Sequence, residues 1–340
     1  MTVVADYETF LLPNFKLQCG ITLPEAILAY KTYGKLNSDR SNVILYPTSY
    51  GAQHPDIEWL IEPGGILDSE KYLVIITNMF GNGLSSSPSN LPELFTGPRR
   101  PHFTHVDNVI AQHTLLKDVY DIEKLALVYG WSMGGQQALH WGAIYPTEVE
   151  RIAAVCTSAR TSPHNFVFLE GLKTALQADP AWNGTHFTSK PEQGLRAFAR
   201  IYAGWALSQL FYREHVYREH GYSSLEDFLI RDWEASFLHK DPMNLLSMIE
   251  TWQTADISRN DLYQGDFQKA LRSITARTLL MPCNRDLYFP PEDNEYEVSF
   301  IPNGELRPID SVWGHRAGNP KKSPADQHYL KKAIAELLSA

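Results

Sequence analysis

The chain has 340 residues, 44% of them hydrophobic and 20% charged, which is the make-up of an ordinary soluble globule with room for a large core. Its net charge of −9, with no basic stripe, excludes a surface built to meet nucleic acid or an anionic membrane, and Lys321-Lys322 and Arg99-Arg100 read as isolated, solvated pairs. Three cysteines cannot all pair, and Cys156 and Cys283 fall in apolar runs that make them inert core residues of a reducing compartment. No secretory leader and no bilayer-length apolar run is visible, so the expectation is a cytoplasmic protein with a small-molecule substrate and no membrane partner.

Two β-type segments open the chain, Phe15 to Cys19 and Ile27 to Tyr33, and together predict an antiparallel hairpin. Buried strands follow over Asn42 to Tyr46 and Lys71 to Asn78. A helix over Val106 to Tyr120 leads into a strand over Leu125 to Tyr129, a helix over Gly135 to Tyr145, and a strand over Arg151 to Thr157. Strands alternating with helices predict a mostly parallel sheet covered on both faces. The alternation stops between Ser158 and Gln268, where helical stretches such as Gly194 to Tyr212 and Asp241 to Trp252 are rich in aromatic residues. It resumes with strands over Ala276 to Pro282 and Leu306 to Val312 and a last helix over Pro324 to Leu338. The chain therefore divides into an α/β core, 1–157 and 269–340, and an inserted helical cap, 158–268.

Between the strand over Leu125 to Tyr129 and its helix lies Gly130-Trp131-Ser132-Met133-Gly134, the G-x-S-x-G nucleophile elbow in the strand-to-helix setting that it requires. The turn leaves no room for side chains at the glycines and lifts the Ser132 hydroxyl above the carboxyl end of the sheet. A triad then needs a carboxylate and a histidine later in the chain, in that order. Asp286 follows the strand after the cap, where the competing Asp293 lies further along the loop and Asp310 within the next strand. His315 follows the last strand and a glycine. One oxyanion donor is expected from the N–H of Met133, and the other from the loop after Tyr46, where Pro47 has none to give and Ser49 is favoured. Tyr50 and Trp131 flank these donors and are the expected substrate contacts. His102 and His105, and His215 and His220, are spaced like metal pairs but lack a third ligand, so no metal or cofactor is expected. The serine-rich run Gly81 to Pro88 lacks the lysine of a phosphate loop and reads as a surface loop near the pocket mouth.

From about Asn42 onward the chain resembles the homoserine O-acetyltransferase-like branch of the α/β-hydrolase superfamily. The resemblance rests on Gly130 to Gly135 with Gln137-Ala138-Leu139, Asp179 to Gly184, Gly194-Leu195 with Ala199-Arg200, Asp286 with Phe289-Pro290-Pro291, and Gly314-His315. It implies an α/β-hydrolase fold, a homodimer joined through the cap, and Arg200 as the residue that holds a substrate carboxylate. Three departures argue against homoserine itself. Arg316 stands where members that acetylate homoserine carry an aspartate, Gly130-Trp131 replaces a pair of glycines, and the spacing around Arg200 differs. The favoured reading is a serine-dependent ester hydrolase acting through acyl-Ser132. An acyl-CoA-dependent O-acetyltransferase working on another alcohol is the alternative, and a non-catalytic ligand-binding module comes third because all three triad residues are present.

Overall fold

The computed structural model describes residues 5–339. Its main sheet has eight strands: β1 (Glu8–Lys16), β2 (Thr22–Tyr33), β3 (Val43–Pro47), β4 (Leu73–Thr77), β5 (Leu127–Trp131), β6 (Arg151–Val155), β7 (Arg277–Met281) and β8 (Gly304–Leu306), arranged β1-β2-β4-β3-β5-β6-β7-β8. From β4 to β8 every neighbouring pair is parallel, while β1 and β2 run antiparallel at one edge. β3 and β4 are buried at every position, as unbroken runs of Val, Ile and Leu require when helices cover both faces of a sheet. This is the α/β-hydrolase architecture with an inserted helical region.

The opening hairpin is longer than its apolar pattern suggests. β1 begins at Glu8, and Leu17 to Cys19 lie in the turn, where the Leu17 N–H donates to Ile21 O at 2.8 Å. Pro13 interrupts the sequence pattern yet pairs opposite Glu25, because an edge strand tolerates a residue without an N–H. At the other edge, the expected strand over Leu306 to Val312 gives way to an earlier one, Gly304–Leu306, with only Leu306 in common. Pro308 cannot donate to the ladder, and beyond it a single parallel bridge, Cys283 with Ile309, carries the chain on beside β7.

The long helices are set by their caps. α1 (His105–Tyr120) starts at Thr104, whose hydroxyl accepts from the Asp107 N–H while the Asp107 carboxylate accepts from the Thr104 N–H at 2.8 Å. α2 (Met133–Ile144) follows the elbow. Between β6 and β7 come α3 (Pro163–Gln177), α4 (Glu192–Ala206) and α5 (Pro242–Gln253), with shorter turns between them. The predicted helix over Gly194 to Tyr212 breaks after Ala206, because the Ser208 hydroxyl caps a new turn by accepting from the Phe211 N–H at 3.0 Å. The last two helices are α6 (Pro291–Val298) and α7 (Pro324–Ser339). Each face of the sheet packs its own aliphatic cluster, and an aromatic cluster containing Phe198, Trp252, Tyr288 and Phe289 fills the space under the helical region. No helix among the described residues is long and apolar enough to cross a membrane.

Candidate active site

Ser132 sits between β5 and α2 with φ 58° and ψ −128°, a left-handed conformation that costs a side-chain-bearing residue about 1–3 kcal/mol. The surroundings hold it there. Its N–H donates to Val155 O at 3.0 Å, and its carbonyl accepts from the Gln136 N–H at 3.0 Å and the Thr157 hydroxyl at 2.7 Å. A Cβ on Gly130 would lie 2.1 Å from Gly134 O, and one on Gly134 would lie 2.6 Å from Pro47 O. The two glycines are therefore demanded by the tightness of the turn.

Asp286 and His315 reach this serine from the far side of the chain. The His315 ring lies with Nε2 2.9 Å from Ser132 Oγ and Nδ1 2.7 Å from Asp286 Oδ2. The other carboxylate oxygen, Oδ1, accepts from the N–H groups of Tyr288 and Phe289 at 2.8 and 3.2 Å, which pins the acid in one orientation. With a carboxylate at Nδ1 that can only accept, the neutral ring carries its proton there and turns a bare lone pair toward the serine. Tyr288, Phe289 and Trp131 box the imidazole in, with ring centroids 4.6, 5.6 and 5.3 Å away. The Trp131 indole also donates to His315 O at 3.2 Å, tying the histidine loop to the elbow. The competing carboxylates lie elsewhere. Asp310 pairs with Arg285, and Asp293 sits in α6, its pKa raised to about 6 by burial.

The expected oxyanion donors lie in the loop after β3 and at the start of α2. Met133 is the first residue of its helix, so its N–H has no preceding turn to bond. In the loop, the Thr48 N–H is used by Thr77 O at 2.9 Å and the Ala52 N–H by Ser49 O at 3.1 Å. The N–H groups of Ser49 and Tyr50 donate to no protein acceptor among the described residues. The Ser49 hydroxyl bonds Trp131 O and accepts from the Gly134 N–H at 3.4 Å, joining this loop to the elbow.

A cleft of about 320 Å³ opens over His315, walled by Tyr50, Trp131, Tyr202, Trp233 and Phe237 among others. Tyr50 and Trp131 thus lie where a substrate would pass. Arg200 does not line this cleft. Its guanidinium is held by Glu234 at 2.6 Å and by Glu226 at 2.5 and 3.1 Å, so the carboxylate-binding role implied by resemblance is already filled by the protein's own acids. Lys321 and Lys322, expected to be merely solvated, stand on the cleft wall with Arg316 and Lys240. Sequence reasoning missed Lys240, Tyr202 and Phe237. They come from the helical region, where no spacing rule connects them to the elbow.

Of the other aromatics of the helical region, Trp233 also reaches the cleft. Trp205 packs on Phe168 at 4.8 Å, Phe211 on Trp313 at 5.1 Å and Trp252 on Phe289 at 5.6 Å, and the Tyr212 hydroxyl donates to Ala203 O at 2.6 Å. The run Gly81 to Pro88 is not an exposed loop at the mouth. Ser85, Ser86 and Ser87 are buried, and the Ser85 hydroxyl donates to Asn78 O at 2.5 Å while accepting from the Ala29 N–H at 2.9 Å. The paired histidines serve structure. His102 meets the Thr254 hydroxyl at 3.1 Å, His105 meets Gln136 at 3.1 Å, and His215 meets Tyr217 at 3.0 Å, while His220 packs on Trp313 at 5.0 Å. Among the described residues no group of three possible metal ligands is found.

Residues 64–315 match the family described as alpha/beta hydrolase fold. The chain belongs to that family. An ethyl acetate hydrolase of Pseudomonas veronii is 39% identical over 338 residues, spanning 98% of this chain and 96% of its own. A homoserine O-acetyltransferase of Chloroherpeton thalassium is 32% identical over 89% of this chain and 83% of its own. The solved acetyl esterase MekB superposes with a TM-score of 0.95 at 38% identity, covering 99% of this chain and 97% of its own. The chain thus falls in the homoserine O-acetyltransferase-like branch of that family, with acetyl esterases among its relatives.

Proposed function

We propose that this protein hydrolyses esters of small acids, acetate above all, through an acyl-Ser132 intermediate. The observation that carries the reading is the unbroken hydrogen-bond line from Ser132 Oγ through His315 to Asp286, at 2.9 and 2.7 Å. The likeness to an ethyl acetate hydrolase and an acetyl esterase supports the choice of acyl group.

In the first half-reaction His315 Nε2 takes the hydroxyl proton as Ser132 Oγ attacks the ester carbonyl, and Asp286 stabilises the imidazolium. The N–H of Met133 and one from the Ser49–Tyr50 loop would meet the oxyanion. His315 then returns the proton to the departing alkoxide, the alcohol leaves, and water repeats the sequence to free the acid. The expected result is release of acetate from ethyl acetate by the wild type and a stoichiometric fluorophosphonate adduct on Ser132. A folded protein that neither reacts with the probe nor hydrolyses any acetate ester would overturn the reading.

Transfer to an alcohol is the second reading, favoured by the homoserine O-acetyltransferase relative. The two share acyl-Ser132 and part at the acceptor. CoA release from acetyl-CoA that requires an added alcohol would select transfer, and release into water alone would select hydrolysis.

A further inference from the structure

The wall of the cleft is charged opposite to the rest of the molecule. Lys240, Arg316, Lys321 and Lys322 face it against one carboxylate, Asp56, in a chain whose net charge is −9. Asp232, just beside it, is shared by Lys322 at 3.4 Å and Arg316 at 4.0 Å, so positive charge remains in excess. A turn of π-helix, Leu229–Glu234, aims Asp232 and Trp233 at this spot, and the Arg316 guanidinium lies over the Trp233 ring at 4.5 Å.

Lys240 is the most exacting member. Its stem lies along Gly51, where an added Cβ would be 3.6 Å from Cε, and its ammonium donates to Gly51 O at 2.5 Å. Among the described residues no carboxylate forms an ion pair with it, and Asp56 of the same wall acts on it only at longer range. An ammonium carries three donors; with one fixed on Gly51 O, the others of this half-buried side chain can meet an acceptor in the cleft it lines. Burial accordingly pushes the Lys240 pKa down.

The side of the active site is also defined. His315 lines this cleft and would return the proton to the leaving alkoxide, so the alcohol half of an ester lies here rather than the acyl half. We propose that the alcohol half of the natural substrate carries an anionic group, a carboxylate in the first instance, received by Lys240 and Arg316. This rests on the hydrolytic reading above and narrows its substrate class. A volume of about 320 Å³ suits a small ester of this kind.

Three acetate esters of nearly equal shape test it: 3-acetoxypropanoate, isopentyl acetate and acetylcholine, which place a carboxylate, an isopropyl group and a trimethylammonium at the same point. The wild type is expected to rank them in that order in kcat/KM, with the anion favoured over the cation by at least about tenfold at low salt, and the ratio is expected to shrink at high ionic strength. In Lys240→Met the same ratio should fall several-fold, and Arg316→Gln supplies an independent variant. A cation accepted as well as the anion, or a ratio indifferent to salt and to both substitutions, would overturn the proposal. Calorimetric binding of 3-hydroxypropanoate against choline, measured on the same proteins, separates it from the hydrolytic reading. Charge-selective binding that depends on Lys240, without turnover of any ester, would sink the hydrolysis and leave the anion site standing; equal binding of the two would sink the anion site.

Discussion

The floor of the candidate active site and its roof are built by different rules. On the floor, Ser132, Asp286 and His315 follow the carboxyl ends of the parallel strands β5, β7 and β8, and each is fixed by backbone N–H groups or buried rings. In the roof, side chains from α4 and the turns after it are held mainly by one another, through ion pairs such as Arg196 and Arg200 with Glu234 and through tilted aromatic contacts such as Phe198 and Tyr202 with Phe237. A rigid floor can keep one chemistry while the roof above it changes what is admitted. That division is what lets esterases and acetyltransferases share one scaffold.

Breaking the floor should have the largest effect. Ser132→Ala is expected to lower kcat by roughly three to six orders of magnitude with thermal unfolding nearly unchanged, as steady-state kinetics and calorimetry would read. Asp286→Asn comes next. The amide can satisfy the Tyr288 and Phe289 N–H groups through its oxygen, but it then offers an N–H to His315 Nδ1, forcing the wrong tautomer, at a cost of about 10⁴ in kcat. A loss below about tenfold would show that Asp286 does not set the histidine's proton.

A third prediction concerns stability under the floor. Glu297 is 1% exposed, accepts from the Ala159 N–H at 2.6 Å and from Asn294 Nδ2 at 2.8 Å, and burial raises its pKa to about 8. A carboxyl whose pKa is higher folded than unfolded binds more protons in the native state. Its contribution is therefore full at low pH and is lost as pH rises from about 4.5 through about 8, on the order of a few kcal/mol. Glu297→Gln keeps an acceptor for Ala159 and should flatten the pH dependence of the urea midpoint over that window. A variant whose midpoint falls with pH as steeply as the wild type's would remove Glu297 as the cause.

The floor was also the legible part. Gly130 to Gly134 carry their own strand-turn-helix signature, and Asp286 and His315 follow apolar runs, so chain order alone brings them forward. Pro308 hid the true end of β8 because a proline weakens the ladder without abolishing the chain's path beside it. The roof offered composition and a few short motifs, but no contacts. Lys240, Trp233 and Arg316 meet across the cleft from separate elements, and no period or spacing in the sequence encodes that meeting. Arg200 shows the same limit from the other side, since its position matched a motif while its partners, Glu226 and Glu234, lie 26 and 34 residues further on, in two later turns of helix.

Arg200 also supplies the smallest predicted effect and the sharpest test of the division. Glu234 is buried, with 3% of its side chain exposed, and is paired with Arg196 as well as Arg200. Removing one of two cations leaves a buried carboxylate half-compensated, so Arg200→Gln should destabilise the protein by about 1–3 kcal/mol in urea unfolding. The other end of the guanidinium contributes little, because the Glu226 pair is open to solvent. Since Arg200 does not line the cleft, kcat/KM for small esters should change by less than about threefold. A selective rise in KM for carboxylate-bearing esters in Arg200→Gln, without loss of stability, would restore Arg200 as a substrate contact and move the anion site from Lys240 into α4.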